Sequence, residues 1–287
     1  MASATAPSPN PSLTPEKVLE TAAPVAPTAV QTNLTQPKEV VLAQGLVAPD
    51  DLALSPDGSI FVSDVTTGAI QQVRQDGSVQ TVLVGLSEPE GMVFLPDGAL
   101  VIAEQGKNRL VRYDFKTRQV SPFLNLKNPT GQAGVDGIAL DAHEEGNETI
   151  LVPDSPVGVV RRISLDASSD IVLATGFVRP TGAWAAQDGS ILVVDENSGW
   201  LARIRVDGSI ERLARLSIPD DVVADAQGNI FVVTLGDHAI HKISGSDYHD
   251  TILRSDFIDP QGLLITPDGN LIVADQGHHR IVEITLH

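Results

Sequence analysis

Acidic side chains return in this chain once in every forty or so residues. Six short frames carry them: Pro49-Asp50-Asp51, Pro89-Glu90-Gly91, Val135-Asp136-Gly137, Pro180-Thr181-Gly182, Pro219-Asp220-Asp221 and Pro260-Gln261-Gly262. Downstream of each frame an apolar run ends on Asp64, Glu104, Asp154, Asp195, Thr234 or Asp275. Nine of these twelve positions are carboxylates, so the repeat places acid at two registers. If the second residues of the frames converge, like charges crowd and some pKa values rise. A hard divalent cation relieves that crowding, and Ca²⁺ accepts about six to eight oxygen ligands. The four carboxylates of that register, Asp50, Glu90, Asp136 and Asp220, are therefore candidate metal ligands. At the second register a plainer role competes. An Asp that ends a strand accepts hydrogen bonds from the N–H groups of the turn that follows, and this reading is assigned to Asp64, Asp154, Asp195 and Asp275. Asp195 and Glu104 are also the candidate general bases for activating water.

The histidines and tryptophans add less. Four residues beyond the second register stand Gly68, Asn108, Gly158, Gly199, His238 and His279. Gly and Asn mark a position with φ > 0, which His tolerates, so His238 and His279 read as turn residues. His278 precedes one of them and is taken as facing inward, a substrate-binding candidate. Trp200 falls in the matching turn of the fourth unit, either as an apolar wall for a substrate or as cover for an edge. Trp184 reads as core. His143 and His249 fall elsewhere in their units and are not catalytic candidates. No P-loop, zincin, Gly-x-Ser-x-Gly or kinase motif is present, and the absence of cysteine excludes thiolate chemistry and disulfides.

Elements that could hold these residues in a ring are legible in the repeat itself. In the first unit, apolar runs at 51–54, 60–63, 70–74 and 79–84 are separated by turns, two of them Asp-Gly. Four short antiparallel strands per forty residues make the blade of a β-propeller. Six such units fill residues 39–287, giving an all-β, six-bladed propeller with four-stranded blades. The last unit stops after its third strand, and residues 39–46 resemble the fourth strands of other units. The N-terminal strand is therefore expected to complete the last blade and remove an open edge. In such a ring the inner strand begins at the top of the channel and the second strand returns there. Both acidic registers then surround one mouth. An insertion at 128–134, just before Asp136, reads as a surface loop beside it.

Charge and composition set the outer limits. The chain has 37 Asp+Glu against 19 Lys+Arg, a net charge of −18, and this excess lies in residues 39–287. It argues against nucleic-acid binding and against attraction to anionic membranes. No apolar run reaches the roughly 18 residues of a membrane span. Residues 1–38 are rich in Ala, Pro, Ser and Thr and are expected to be a disordered tail, with one helical turn near 14–19. Such a tail suits an exported, extracytoplasmic or secreted protein whose leader has been removed; a cytoplasmic location is the alternative. A monomer is expected.

The recurring frame, continued by Asp-Gly and by an apolar triplet ending on Asp, resembles NHL repeats. It also resembles the six-bladed gluconolactonase/regucalcin superfamily, to which the calcium-dependent paraoxonase lactonases are distantly related. The resemblance spans residues 39–287 and is specific for fold, much less so for activity. It implies a cation held in the first, third, fourth and fifth blades, which here means Asp50, Asp136, Thr181 and Asp220. Thr181 departs from the family's Asn, a hydroxyl being a weaker Ca²⁺ ligand than an amide carbonyl, and Glu90 is available to compensate. Asp50-Asp51 and Asp220-Asp221 resemble the acidic pairs of paraoxonases, whereas no residue matches the paraoxonase histidine dyad. The function implied is a divalent-metal-dependent lactonase or esterase-like hydrolase at the channel mouth, acting on a small lactone or ester. Two alternatives stand beside it: a non-catalytic propeller binding a ligand or protein partner on its top face, and a metal-dependent lyase.

Overall fold

A computed structural model describes residues 37–143 and 146–286. The tail expected at 1–38, with its helical turn near 14–19, lies outside the described residues except for Pro37 and Lys38. The described chain folds into six four-stranded antiparallel sheets. Their inner strands are Pro49–Leu54, Pro89–Phe94, Ala139–Asp141, Pro180–Ala185, Pro219–Ala224 and Pro260–Ile265. In the first five sheets the strands follow in chain order from the inside out. In the sixth the outermost strand is Glu39–Gln44, paired antiparallel with Arg280–Ile284, so the N-terminal strand closes the ring as expected.

Val, Ile and Leu dominate the strands because every blade is covered on both faces. The second strands, such as Leu100–Glu104 and Ile230–Thr234, are buried along their whole length. Apolar side chains gather into six clusters, each between neighbouring blades. Between blades one and two, for example, Ala53, Phe61 and Ile70 meet Met92, Leu100 and Val111. Two-sided burial accounts for continuous apolar runs where a one-sided sheet would alternate. The Asp-Gly corners turn as their sequence requires: Gly58, Gly98, Gly189 and Gly269 all have φ near +80°. His238 and His279 adopt φ of 55° and 56°, so they are left-handed turn residues.

Two devices fix where the mouth sits. The first is the third residue of each frame. A Cβ on Gly91 would lie 2.4 Å from the Ile138 nitrogen of the next blade, and one on Gly137 would lie 2.9 Å from the Thr181 oxygen. Neighbouring blades thus meet backbone to backbone there. At two of the six positions Asp stands instead, and its carboxylate bridges the same gap. Asp51 accepts the Met92 N–H (3.3 Å) and Asp221 accepts the Leu263 N–H (2.9 Å), each donor belonging to the next blade.

The second device is the carboxylate that ends the second strand. Asp195 accepts the N–H groups of Val178 and Arg179 at 2.9 and 2.8 Å. Asp64 takes those of Val47 and Ala48, Glu104 that of Ser87, and Asp275 that of Ile258. The donors precede the inner strand of the same blade, where the sequence suggested the following turn. Asp64 also binds a following-turn N–H, that of Thr67. Asp154 departs from the pattern: Arg161 holds one of its oxygens at 2.7 Å, and the other is buried with no hydrogen-bond partner among the described residues. Blade three is also where the inner strand is shortest, after the 128–134 insertion.

Candidate site at the channel mouth

Asp50, Glu90, Thr181 and Asp220 stand second in their inner strands, and Asp136 lies just ahead of the third inner strand. Asp50, Asp51, Asp136, Asp220 and Asp221 surround a void of about 10 Å³, about the volume one water needs. Beneath Asp51 and Asp221 the channel widens into an apolar vestibule of about 280 Å³, lined by residues such as Leu54, Phe94, Leu140, Trp184 and Ile265. The two aspartates therefore form a septum between an acidic upper chamber and an apolar lower one.

The electrostatics of the upper chamber are dominated by burial. Burial raises the Asp50 carboxyl, and Glu90 and Gln276 hydrogen bonds work against the rise. Burial pushes Glu90 well above the usual carboxylate range, and the facing Asp50 and Asp136 charges add to this. Burial carries Asp136 to about 7 against the pull of Arg179, and Asp221 to about 6 against its own backbone hydrogen bonds. Asp220 and Asp51 are raised well above the ordinary value, first by burial and then by facing carboxylates. Among the described residues no hydrogen bond reaches the Asp220 carboxylate.

Neutral donors and one guanidinium share this ring. Gln276 donates to Asp50 at 3.2 Å and Gln105 to Asp136 at 3.3 Å. The Arg179 guanidinium donates to Asp136 at 2.6 Å and also to Glu196. Its third contact is the Ala133 carbonyl at 3.5 Å. The Thr181 hydroxyl donates to the backbone oxygen of Asp220 at 2.8 Å. Arg179, Glu196, Gln105 and Gln276 were not singled out from sequence. A signal for the last three existed: the residue after each second strand is Val65, Gln105, Ser155, Glu196, Leu235 or Gln276, and half of these are long and polar.

Other sequence candidates lie away from the chamber or are engaged elsewhere. Asp195 binds backbone N–H groups with both oxygens, and Glu104 is wholly buried against Ser87, Lys107 and Arg109. Burial acts to raise Glu104, but its Lys107 and Arg109 partners hold it below the usual range. Neither carboxylate is free to take a proton from water in this arrangement. His278 turns onto Asp275 at 2.8 Å, and Gln276 is the side chain of that turn that reaches the mouth. Trp200 opens the third strand of blade four, with Arg212 and Arg215 over its ring at 5.1 and 5.6 Å. It packs within its own blade and does not line the chamber. The 128–134 loop is tied by Asn128, which accepts the Gly131 N–H and donates to the Gln132 carbonyl. It borders a polar recess of about 420 Å³ with Gln105, Lys107 and Asn108.

The donor chemistry of the chamber fits a hard cation: every candidate atom is oxygen, and buried negative charge outweighs the guanidinium. Among the described residues, however, no three acidic or histidine side chains already stand in a cage around a metal position. Asp136 is held by Arg179 and Asp50 by Glu90, so cation entry requires side chains to change partners. No helix among the described residues is long and apolar enough to cross a membrane.

Comparison with known proteins agrees with this architecture. Residues 257–284 match the NHL repeat family model. The chain is 24% identical to Teneurin-m of Drosophila melanogaster over 267 residues, and it spans 9% of the length of that protein. A gluconolactonase from Xanthomonas campestris shares the fold with a TM-score of 0.73 at 15% identity, over 87% of this chain and 89% of that one. The calcium-binding protein regucalcin from Agrobacterium tumefaciens gives 0.71 at 15% identity, over 86% and 93%. A virginiamycin B lyase from Staphylococcus aureus gives 0.66 at 15% identity, over 87% and 99%. At these identities the likeness is one of fold. The chain is a six-bladed propeller carrying an NHL repeat, with gluconolactonase- and regucalcin-like proteins among its structural neighbours.

Proposed function

We propose that the channel mouth binds a divalent cation, Ca²⁺ by its donor set, and hydrolyses a small lactone or ester there. The observation that carries this reading is a set of six carboxylates, Asp50 and Glu90 buried and Asp51, Asp136, Asp220 and Asp221 half-buried, whose pKa values are all raised. Such a ring in a propeller channel is unfavourable unless protons or a cation neutralise it. Asp50, Asp136 and Asp220 are the residues to hold the ion, and among the described residues no hydrogen bond engages the Asp220 carboxylate. When bound, a divalent cation polarises a carbonyl and lowers the pKa of water.

The chain's own groups supply the rest. Thr181 fixes the backbone that carries Asp220. Glu90, its carboxyl raised by burial and by the facing Asp50, is the group placed to pass a proton at the mouth. Asp51 and Asp221 close the channel below, so reactants enter and leave from the top. The recess beside the 128–134 loop offers amide groups to a polar substrate body. An extracytoplasmic location suits a calcium-dependent activity and is part of this proposal.

The lyase among the structural neighbours keeps a second reaction open on the same mouth. Calorimetry with Ca²⁺ is expected to show a single site, and chelation to lower the melting temperature. A panel of aldonolactones and acyl-homoserine lactones then tests turnover. Asp220→Asn is expected to weaken Ca²⁺ binding at least tenfold, in line with loss of a charged ligand worth about 1.5–3 kcal/mol. No Ca²⁺ binding at millimolar concentration would sink the proposal. Ca²⁺ binding without turnover of any lactone, ester or lyase substrate supports the non-catalytic alternative, a ligand- or protein-binding top face.

A further inference from the structure

We infer that Arg179 is a resident counter-ion of the mouth, competing with the divalent cation for Asp136 and thereby setting the cation affinity. The inference rests on the reading of the mouth just given and concerns this chain's own side chains. Three observations carry it. The guanidinium lies 2.6 Å from Asp136, one of the carboxylates that must face the ion. It is largely buried, with 15% of its side chain exposed, so its charge acts inside the chamber with little screening by solvent. It is also forked: the Nε group pairs with Glu196 while another nitrogen holds Asp136. Glu196 offers a place for the guanidinium to remain when Asp136 turns to the ion, so exchange does not strand a buried charge. This accounts for a chamber with oxygen donors suited to a cation in which no three acidic groups stand as a ready-made cage.

Competition of this kind has a definite sign. Removing a ligand residue weakens cation binding, whereas removing a competitor strengthens it. Arg179→Gln frees Asp136 of a charge-assisted hydrogen bond and is expected to tighten Ca²⁺ binding about tenfold or more. Lys107→Gln is the control for long-range field, because it removes one positive charge from the same face at a residue paired with Glu104. It is expected to leave the dissociation constant within about twofold, since an exposed charge is screened.

The test is calorimetric titration of Ca²⁺ into wild type and both variants, with thermal melts in chelator to confirm folding. Arg179→Met serves as a second neutral replacement should Arg179→Gln fold poorly. Tighter binding by the Arg179 variants alone supports the inference, as does binding by those variants when wild type shows none. Unchanged or weaker binding in a folded Arg179 variant overturns it while leaving the proposed cation site intact. Equal tightening by Lys107→Gln also overturns it, since field without competition then explains the gain. Absence of binding in all three proteins overturns both this inference and the cation reading.

Discussion

Asp57, Asp76, Asp97, Asp188 and Asp207 stand in Asp-Gly corners, and all five are held below the ordinary carboxylate value. A neighbouring Ser hydroxyl does this for four of them, and the Ala99 N–H for Asp97. The chamber aspartates are displaced the other way by burial, Asp136 to about 7 and Asp221 to about 6. The signs translate into stability. A carboxyl whose folded pKa is raised binds its proton more tightly in the folded state. Its contribution is complete below the unfolded value near 4 and is lost as pH rises through the folded value. Without a divalent cation, the melting temperature is therefore expected to fall between pH 5 and pH 8, by about 5 °C or more. Saturating Ca²⁺ is expected to remove most of that slope, and Asp136→Asn part of it. A metal-free melting temperature that stays flat or rises over this range contradicts the assignment. The ring of Asp50, Glu90, Asp136 and Asp220 was legible because its members share a register of the repeat. Arg179 was not, because it reaches Asp136 of the preceding blade and no spacing along one repeat encodes a contact between two.

Strands and turns were legible for the opposite reason: their causes are local. Asp-Gly corners, apolar triplets and the short gaps between them specify each blade without reference to its neighbours. What sequence did not disclose is how neighbouring inner strands meet. The third residue of each frame decides that, since Gly91 leaves only 2.4 Å between its missing Cβ and the Ile138 nitrogen. Asp51 and Asp221 occupy the same register because their carboxylates take up N–H groups of the next blade. An apolar Cβ at Gly91 has no such compensation and meets backbone, which cannot rotate away. Gly91→Ala is accordingly expected to destabilise the fold by about 3 kcal/mol, at the upper end for overpacking. The change should appear in urea unfolding as a lower midpoint with an unaltered slope. A midpoint equal to that of wild type shows that inner strands two and three have room to part. It also removes the close approach as the reason for glycine there.

Closure is a property of the whole ring, and its chemistry sits at one residue. Glu39 opens the strand that completes blade six, where it pairs with Ile284 across the sheet. Its carboxylate lies 2.7 Å from Arg280 of the same blade and 2.9 Å from Arg254 of blade five. The second is an ion pair without hydrogen-bond alignment, since that Glu39 oxygen is otherwise unpartnered. Arg280 has Asp275 and Arg254 has Asp256 as further partners. Glu39 is thus the acid that joins the first strand of the ring to its last two blades. Glu39→Ala leaves both arginines with a remaining partner, so the expected loss is modest, about 2 kcal/mol, below the cost of stranding a buried charge. Its location gives the loss a larger consequence. Detachment of the 39–44 strand exposes the edge of Arg280–Ile284, a run of unpaired backbone groups open to a second molecule. The variant is expected to lose hydrogen-exchange protection first at 40–44 and 280–284, and to associate in a concentration-dependent way under mild denaturant. Glu39→Gln, which keeps the volume and one acceptor, should fall between Glu39→Ala and wild type. If blade one or blade three exchanges before these two segments, the ring opens elsewhere and Glu39 is not its latch.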